Sequence, residues 1–444
     1  MNVLPKIIFY WLLATETITG YAQIWQPVGN GFDNAVLTLL NDSSNNLLYA
    51  GGSFDTADGS DCSRISKWNN SYWDTIGTGL SNGNVNTMTI YNNMLYTGGS
   101  FTNAGNKIRK FLTRWNGVSW DSIAFTTSNC FVNAMLEYNG ELYVGGGFPI
   151  AGGIQVNNIA RFNGSQWDSV GAGTNNRIYT MAIYNNELYI GGWFDTAGGI
   201  PANYIAKWNG INWSNVGNGT NNRVFALEVY NNELYVGGLF DTVGGTYVNH
   251  LAKWNGSNWL AVGNGLNGQV NTLYSYKNNL YIGGYFTIAG STNANKIAVW
   301  NGNNYLPMSS GFNDAVSSIT SFNNEIIAGC YFTQSDVNIV KYIAKWKIID
   351  NIENITNDNV EVIAYPNPFR ESTILQINNS SITDCKINIY DTFGKKVKFN
   401  VIQEKNIFVI NRKNIPNGFY FYIIVFKDIA NNMVKNLYGK LIVQ

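Results

Sequence analysis

The one histidine in the chain, His250, sits just ahead of the stretch "LAKWN". One imidazole is too few for copper-radical oxidation, which takes two imidazoles and a cysteine beside a tyrosine. Zinc hydrolysis needs His or Cys clustered at short spacing. Cys62, Cys130, Cys330 and Cys385 are instead scattered, with no Cys-x-x-Cys pair. A Ser-His-Asp relay would have to use His250, and no Gly-x-Ser-x-Gly accompanies it. A lone histidine at a loop end reads as solvated. Acid–base catalysis has the candidates Asp195, Asp241, Asp314 and His250, but no two carboxylates recur at a spacing that places both in one cleft. Asp55, Asp195 and Asp241 each follow "GGxF" and precede a threonine. Asp-Thr is a turn pair whose side chains bond nearby backbone N–H groups; the same oxygens make these three the calcium candidates. No other cofactor is expected.

Two arginines suggest binding rather than turnover. Arg177 and Arg223 each stand one place before the aliphatic residue that opens a recurring segment. Across the repeats that place holds Ala35, Asn84, Phe131, Arg177, Arg223, Gln269 and Ala315. Adjacent guanidinium groups on a neutral protein can hold a carboxylate or sulfate by paired hydrogen bonds. Arg177, Arg223, Gln269 and Asn84 are therefore the candidate ligand-binding residues; two solvated arginines are the alternative.

These residues are positioned by a repeat. "YNNELYIGGWFDTAGG" at 184–199 returns as "YNNELYVGGLFDTVGG" at 230–245. Aligned on the Phe after the Gly pair, the units fall at Phe54, Phe101, Phe148, Phe194, Phe240, Phe286 and Phe332, in steps of 47, 47, 46, 46, 46 and 46 residues. An aromatic follows each Phe at a distance of 14, and in six units another comes 5 later. Each unit has four strand candidates, in the fifth "RVFALEVY", "ELYVGGLF", "HLAKWN" and "NWLAVG". The "NN" and "NG" between them suit two-residue type I′ turns, which take positive φ at both central positions. A four-stranded meander cannot bury both its faces, whereas units packed radially can. The expected fold class is all-β, a seven-bladed β-propeller over 23–346. Its last unit lacks an outer strand, and "QIWQPVG" with Trp25 supplies one, closing the ring with the N-terminal strand. Aromatics that recur in every unit read as packing between sheets. Function then falls to what varies, the loops between second and third strands and between units.

With 28 basic and 28 acidic residues the chain has no basic face for nucleic acid. Lys6, the apolar run "IIFYWLLA" and the small residues Gly20 and Ala22 read as a signal peptide over 1–22. The run is too short to span a bilayer comfortably and no other stretch would, so the protein is not expected to be integral to a membrane. Residues 347–360 read as a linker.

"LYVGG" followed by "WNG..W" resembles the Kelch and galactose-oxidase-type propellers, which implies the architecture rather than an activity. The motifs "AYPNPF", "INIYDTFGKKV", "IPNGFYFYII" and "GKLIVQ" over 361–444 resemble the type A sorting domain of the Bacteroidetes type IX secretion system. That resemblance implies a small β-sandwich that carries cargo across the outer membrane, with the secretion machinery as partner and a secreted or cell-surface destination. Its motif residues are Tyr365, Pro366, Asn367, Pro368, Gly394, Gly418, Tyr420, Gly439 and Lys440. The expected function is a non-catalytic binding or adhesion protein for a glycan, a protein or a surface polymer. A polysaccharide lyase or hydrolase and a purely structural surface protein are the alternatives.

Overall fold

The computed structural model describes residues 25–125, 130–335, 338–347, 361–378, 382–391, 396–428 and 433–444. The expected signal peptide, residues 348–360 of the expected linker, and Gly394 lie outside these. The chain divides into two compact units, 1–348 and 349–444.

Among the described residues the first unit holds seven four-stranded antiparallel sheets. Six follow the chain as meanders; in the fifth repeat the strands are Val224–Tyr230, Glu233–Gly238, Leu251–Trp254 and Trp259–Ala261. The seventh combines Val316–Phe322, Glu325–Cys330 and Ile343–Lys347 with the distant Gln26–Pro27, paired as Gln26 to Lys345 and Pro27 to Ala344.

In repeats two to seven the turn after the first strand is the expected type; in the first repeat four residues, 43–46, separate the paired Asp42 and Leu47. Asn185 and Asn186 have φ of 50° and 60°, Asn231 and Asn232 49° and 60°, as a type I′ turn demands. The expectation fails at "WNG". Trp208 pairs directly with Trp213, leaving a four-residue loop. Asn209 Oδ1 accepts the N–H groups of Ile211 and Asn212 at 2.9 and 2.8 Å, an Asx cap that recurs at Asn116, Asn163, Asn255 and Asn301. The constant asparagine is thus an acceptor rather than a left-handed turn residue.

The sheets meet through the Gly pair. A Cβ on Gly191 would lie 2.4 Å from Val224 of the next repeat, and one on Gly329 of the seventh repeat 2.8 Å from Val36 of the first. Each Phe after the pair is at most 1% exposed, so the invariant positions form the core between neighbouring sheets. Except at Trp167, whose Nε1 has no partner among the described residues, the outer-strand aromatics tie each repeat to the one before. Trp120 Nε1 donates to Ile76 O, Trp213 Nε1 to Val170 O and Tyr305 Oη to Val262 O. Trp25 is fully buried and makes the same bond to Met308 O. Trp73 in turn donates to Val28, three residues past Trp25.

The second unit has two antiparallel sheets. One orders Glu361–Tyr365, Ser372–Asn378, Ile407–Asn411 and Asn400–Glu404; the other Ile382–Asp391, Gly418–Asp428 and Met433–Val443. One core joins them, including Phe369, Leu375, Phe408, Ile424 and Leu441. Asn367 binds the last strand both ways: its Nδ2 donates to Lys440 O and its Oδ1 accepts Ile442 N–H, each at 2.8 Å. A Cβ on Gly439 would sit 2.0 Å from the Tyr422 ring, Tyr420 Oη donates to Pro416 O at 3.0 Å, and Lys440 Nζ lies 3.9 Å from the Phe419 ring centre. Motifs that are far apart in sequence therefore form one seam between the "YPNPF" segment and the C-terminal strand.

Candidate functional site

One end of the seven sheets carries the two- and four-residue turns after the first and third strands. The opposite end carries the connections between second and third strands. These are more regular than the sequence reading expected: each folds into its own short hairpin. In the fourth repeat Thr196 pairs with Pro201 and Ala197 with Ile200, around Gly198 and Gly199 at φ 61° and 82°. Much of this face is therefore scaffold.

The aspartates after "GGxF" belong to that scaffold. Asn175 Oδ1 accepts the N–H groups of Asp195 and Thr196, and Asn175 Nδ2 donates to Asp195 Oδ1 at 2.6 Å. Asn221 does the same for Asp241 and Thr242. In the sixth and seventh repeats Asn267 and Asn313 donate instead to Thr287 Oγ1 and Thr333 Oγ1, at 2.9 and 3.0 Å. Asp and Thr alternate here because either offers an oxygen to the same amide. Asp55 forms an ion pair with Arg64 at 3.1 Å. Among the described residues no cluster of three or more His, Cys, Asp or Glu side chains is arranged to hold a metal ion.

His250 also occupies a repeat position. Its φ is 65°, and its equivalents Arg64, Phe111, Asn158, Tyr204, Lys296 and Tyr342 lie between 65° and 72°. Its N–H donates to Phe240 O at 2.9 Å, the bond that Arg64, Phe111 and Tyr204 make to Phe54, Phe101 and Phe194. Burial holds its imidazole below the ordinary range, with Asp241 opposing.

Arg177 and Arg223 differ from the other arginines of this unit and from most of its lysines. Arg64, Arg114, Arg161, Lys67, Lys207, Lys253 and Lys345 have carboxylate partners, and Arg109 donates to Ala104 O. The guanidinium groups of Arg177 and Arg223 meet no carboxylate or other acceptor among the described residues. Each lies over a ring of the preceding repeat: Arg177 4.3 Å from the Phe131 centre and Arg223 3.9 Å from that of Trp193. Such contacts contribute roughly 0.5–1 kcal/mol at exposed sites, enough to hold the fork in place while leaving its N–H edge open. Gly147 makes room for the first stack, since a Cβ there would meet Phe131 at 2.6 Å and Arg177 at 3.2 Å. The two arginines are linked through Trp193, whose N–H donates to Arg177 O at 2.8 Å. Beside Arg177 lies an open cavity of about 590 Å³, lined among others by Phe131, Phe148, Pro149, Asn157, Asn175 and Asn176.

Gln269 and Asn84 do not join this pair. Gln269 Nε2 donates to Asn271 Oδ1 on its own strand at 2.6 Å. Asn84 exchanges bonds with Ser100, its N–H donating to Ser100 Oγ and its C=O accepting Ser100 N–H, both at 2.9 Å.

Sequence reasoning missed the "x" of "GGxF". It reads Ser53, Ser100, Gly147, Trp193, Leu239, Tyr285 and Tyr331. Its N–H pairs with the rim residue of the same repeat, as Trp193 with Arg177, Leu239 with Arg223 and Tyr285 with Gln269. Trp193, Tyr285 and Tyr331 are 38, 48 and 44% exposed. Partial burial, then Cys330 and then Asp314, push the Tyr285 hydroxyl above the ordinary range. For Tyr331 burial comes first, then Cys330, Tyr285 and Asp314. Both phenols therefore keep their protons and remain donors. The signal was available: a position that varies between a residue that is Gly in six repeats and an invariant Phe, and that is aromatic in repeats four, six and seven.

Glu228, on the first strand of the fifth repeat, was also missed. Burial pushes its carboxyl up to about 7, opposed by the hydrogen bond it accepts from Ser275 N–H at 3.1 Å. A raised acid pKa means the folded state holds a proton that the unfolded state has released. Stability is therefore expected to fall as pH rises from about 4.5 to about 7. Glu228→Gln is expected to match wild type near pH 4.5 and to gain on the order of 2–3 kcal/mol at pH 8. Thermal unfolding of both forms across that range checks this, and a variant less stable at pH 8 would contradict it.

Residues 363–443 match the family model "Secretion system C-terminal sorting domain", and residues 16–171 match "Rax2 C-terminal beta propeller domain". No curated protein matches the chain. Among solved structures, the plexin A4 full extracellular region is similar at 9% identity with a TM-score of 0.42, over 95% of this chain and 67% of that one. Among the described residues no helix is long and apolar enough to cross a membrane. The chain joins an N-terminal β-propeller-like unit to a C-terminal type IX sorting domain, which addresses it to that secretion system and to the cell surface or medium.

Proposed function

We propose that this protein is a non-catalytic binding protein, exported through a signal peptide and the type IX route of a Bacteroidetes bacterium. Its working part is a closed, seven-bladed, Kelch-like propeller over residues 23–346. Closure is supported by the bond from Trp25 to Met308 and the approach of Gly329 to Val36. The ligand is anionic and sits at the hairpin-bearing mouth on Arg177 and Arg223. The observation that carries this reading is that these two guanidinium groups are braced on rings and meet no acceptor among the described residues, while the other arginines of the unit are engaged. A binding site needs open donors held in position; each charge-assisted bond they make contributes roughly 1.5–3 kcal/mol. Asp195 and Asp241 are taken up by their asparagine partners, which favours binding over acid–base turnover.

Affinity for an anionic polymer is expected to fall as salt rises, because the pair is exposed to solvent and screened over about 8 Å at physiological ionic strength. Replacing Arg177 and Arg223 together by Ala is expected to weaken binding at least tenfold, with the unfolding temperature lowered by no more than a few degrees through loss of the two ring contacts. Titration calorimetry at two salt concentrations measures both effects. Wild-type affinity in the double variant would place the site elsewhere.

A further inference from the structure

The "x" residues divide the mouth into unlike halves. Repeats one to three carry Ser53, Ser100 and Gly147, whereas repeats four to seven carry Trp193, Leu239, Tyr285 and Tyr331. The three aromatics are 38, 48 and 44% exposed, although the invariant Phe that follows each is buried. Each of these rings therefore keeps a large part of its surface open to solvent on one arc of a rigid rim. Trp193 already supports Arg223, and its backbone is bonded to Arg177, so the arc is continuous with the arginines.

We propose that this arc binds a linear acidic polysaccharide. Its sugar rings lie on Trp193, Tyr285 and Tyr331, and its carboxylate or sulfate groups are held by Arg177 and Arg223. The inference rests on the anion-binding reading of the same mouth. Carbohydrate suits the arc for three reasons. The C–H face of a pyranose matches the electron-rich face of an aromatic ring. The Tyr285 and Tyr331 hydroxyls are protonated donors for ring oxygens and hydroxyls. A repeating chain can use several platforms along the arc at once, which gives avidity from weak individual contacts. An acidic peptide is served less well, because its anchors seek deep desolvated pockets, and the arc offers open ring faces.

The test uses the full chain in native affinity gels containing polygalacturonate, a sulfated galactan, a neutral β-glucan or poly-glutamate. Retardation is expected with polygalacturonate or the sulfated galactan, the two arms separating a uronate from a sulfate ligand, and not with the β-glucan or poly-glutamate. Trp193→Ala, and separately Tyr285→Ala with Tyr331→Ala, are each expected to cut affinity at least tenfold at unchanged unfolding temperature. Trp193→Phe is expected to keep most of it and serves if Trp193→Ala fails to fold. Equal retardation by poly-glutamate overturns the carbohydrate assignment. So does acidic-polysaccharide binding that survives both aromatic changes but not loss of the two arginines, a result that leaves the anion site standing. Absence of retardation by every acidic probe overturns both.

Discussion

Without residues 365–444 the protein is expected to stop in the periplasm, with delivery to the surface or medium falling at least tenfold. The two compact units have separate cores, so the truncated chain keeps the whole propeller-like unit and loses only its address. Cell fractionation with antibody detection separates failed export from failed folding, because a folded but stranded unit resists protease. A narrower change should act alike. Asn367→Ala removes both bonds between the "YPNPF" segment and the last strand and leaves Lys440 O and Ile442 N–H without that partner, at about 1–3 kcal/mol for each group that stays buried. Truncated protein reaching the surface at wild-type levels would refute the assignment of the sorting route.

Deleting residues 23–30 is expected to destabilise the first unit by several kcal/mol, and by more than any single loop change. The deletion removes a fully buried Trp25, for which replacement by a small residue alone costs roughly 3–5 kcal/mol. It also strips Ile343–Lys347 of its outer pairing partner, while its pairing with Glu325–Cys330 remains, and takes away Val28, the acceptor for Trp73. Light scattering is expected to show association through the bared edge. A soluble deletion variant with an unchanged unfolding temperature would mean that the terminal strand is dispensable.

Much of the fold could be read from the sequence because the repeat imposes the same steric problem seven times. The 46–47-residue step locates all seven four-stranded sheets of the first unit, and the offset from Trp25 to Val36 places the terminal strand in the seventh. Local geometry was less legible. Asn-Gly in "WNG" has the composition of a type I′ turn, yet direct pairing of the two flanking aromatics leaves four residues to span. The site was legible only in part. Arg177 and Arg223 stood out as charges in a neutral chain, but their stacking on Phe131 and Trp193 depends on which way each side chain leans across a sheet boundary. Asp195 and Asp241 looked like candidate ligands because their asparagine partners lie twenty residues upstream, beyond any local motif. Trp193, Tyr285 and Tyr331 were hidden by their neighbours: beside an invariant Phe, a varying aromatic reads as more of the same core.

The pairing of Gln26–Pro27 with Ile343–Lys347 sets a schedule for the molecule. The earliest-made strand of the unit has to wait for one made more than three hundred residues later. Six sheets can assemble as the polypeptide emerges, while the seventh stays unfinished and its two halves exposed. The entropic charge for bringing such distant ends together grows only with the logarithm of the separation, so the delay is one of time rather than of final stability. In that interval the chain offers an open edge to chaperones, proteases and sister chains. Moving the termini to a junction between two other repeats, with the present ends joined, would let every sheet mature in order, and such a permuted protein should refold with less aggregation at the same final stability.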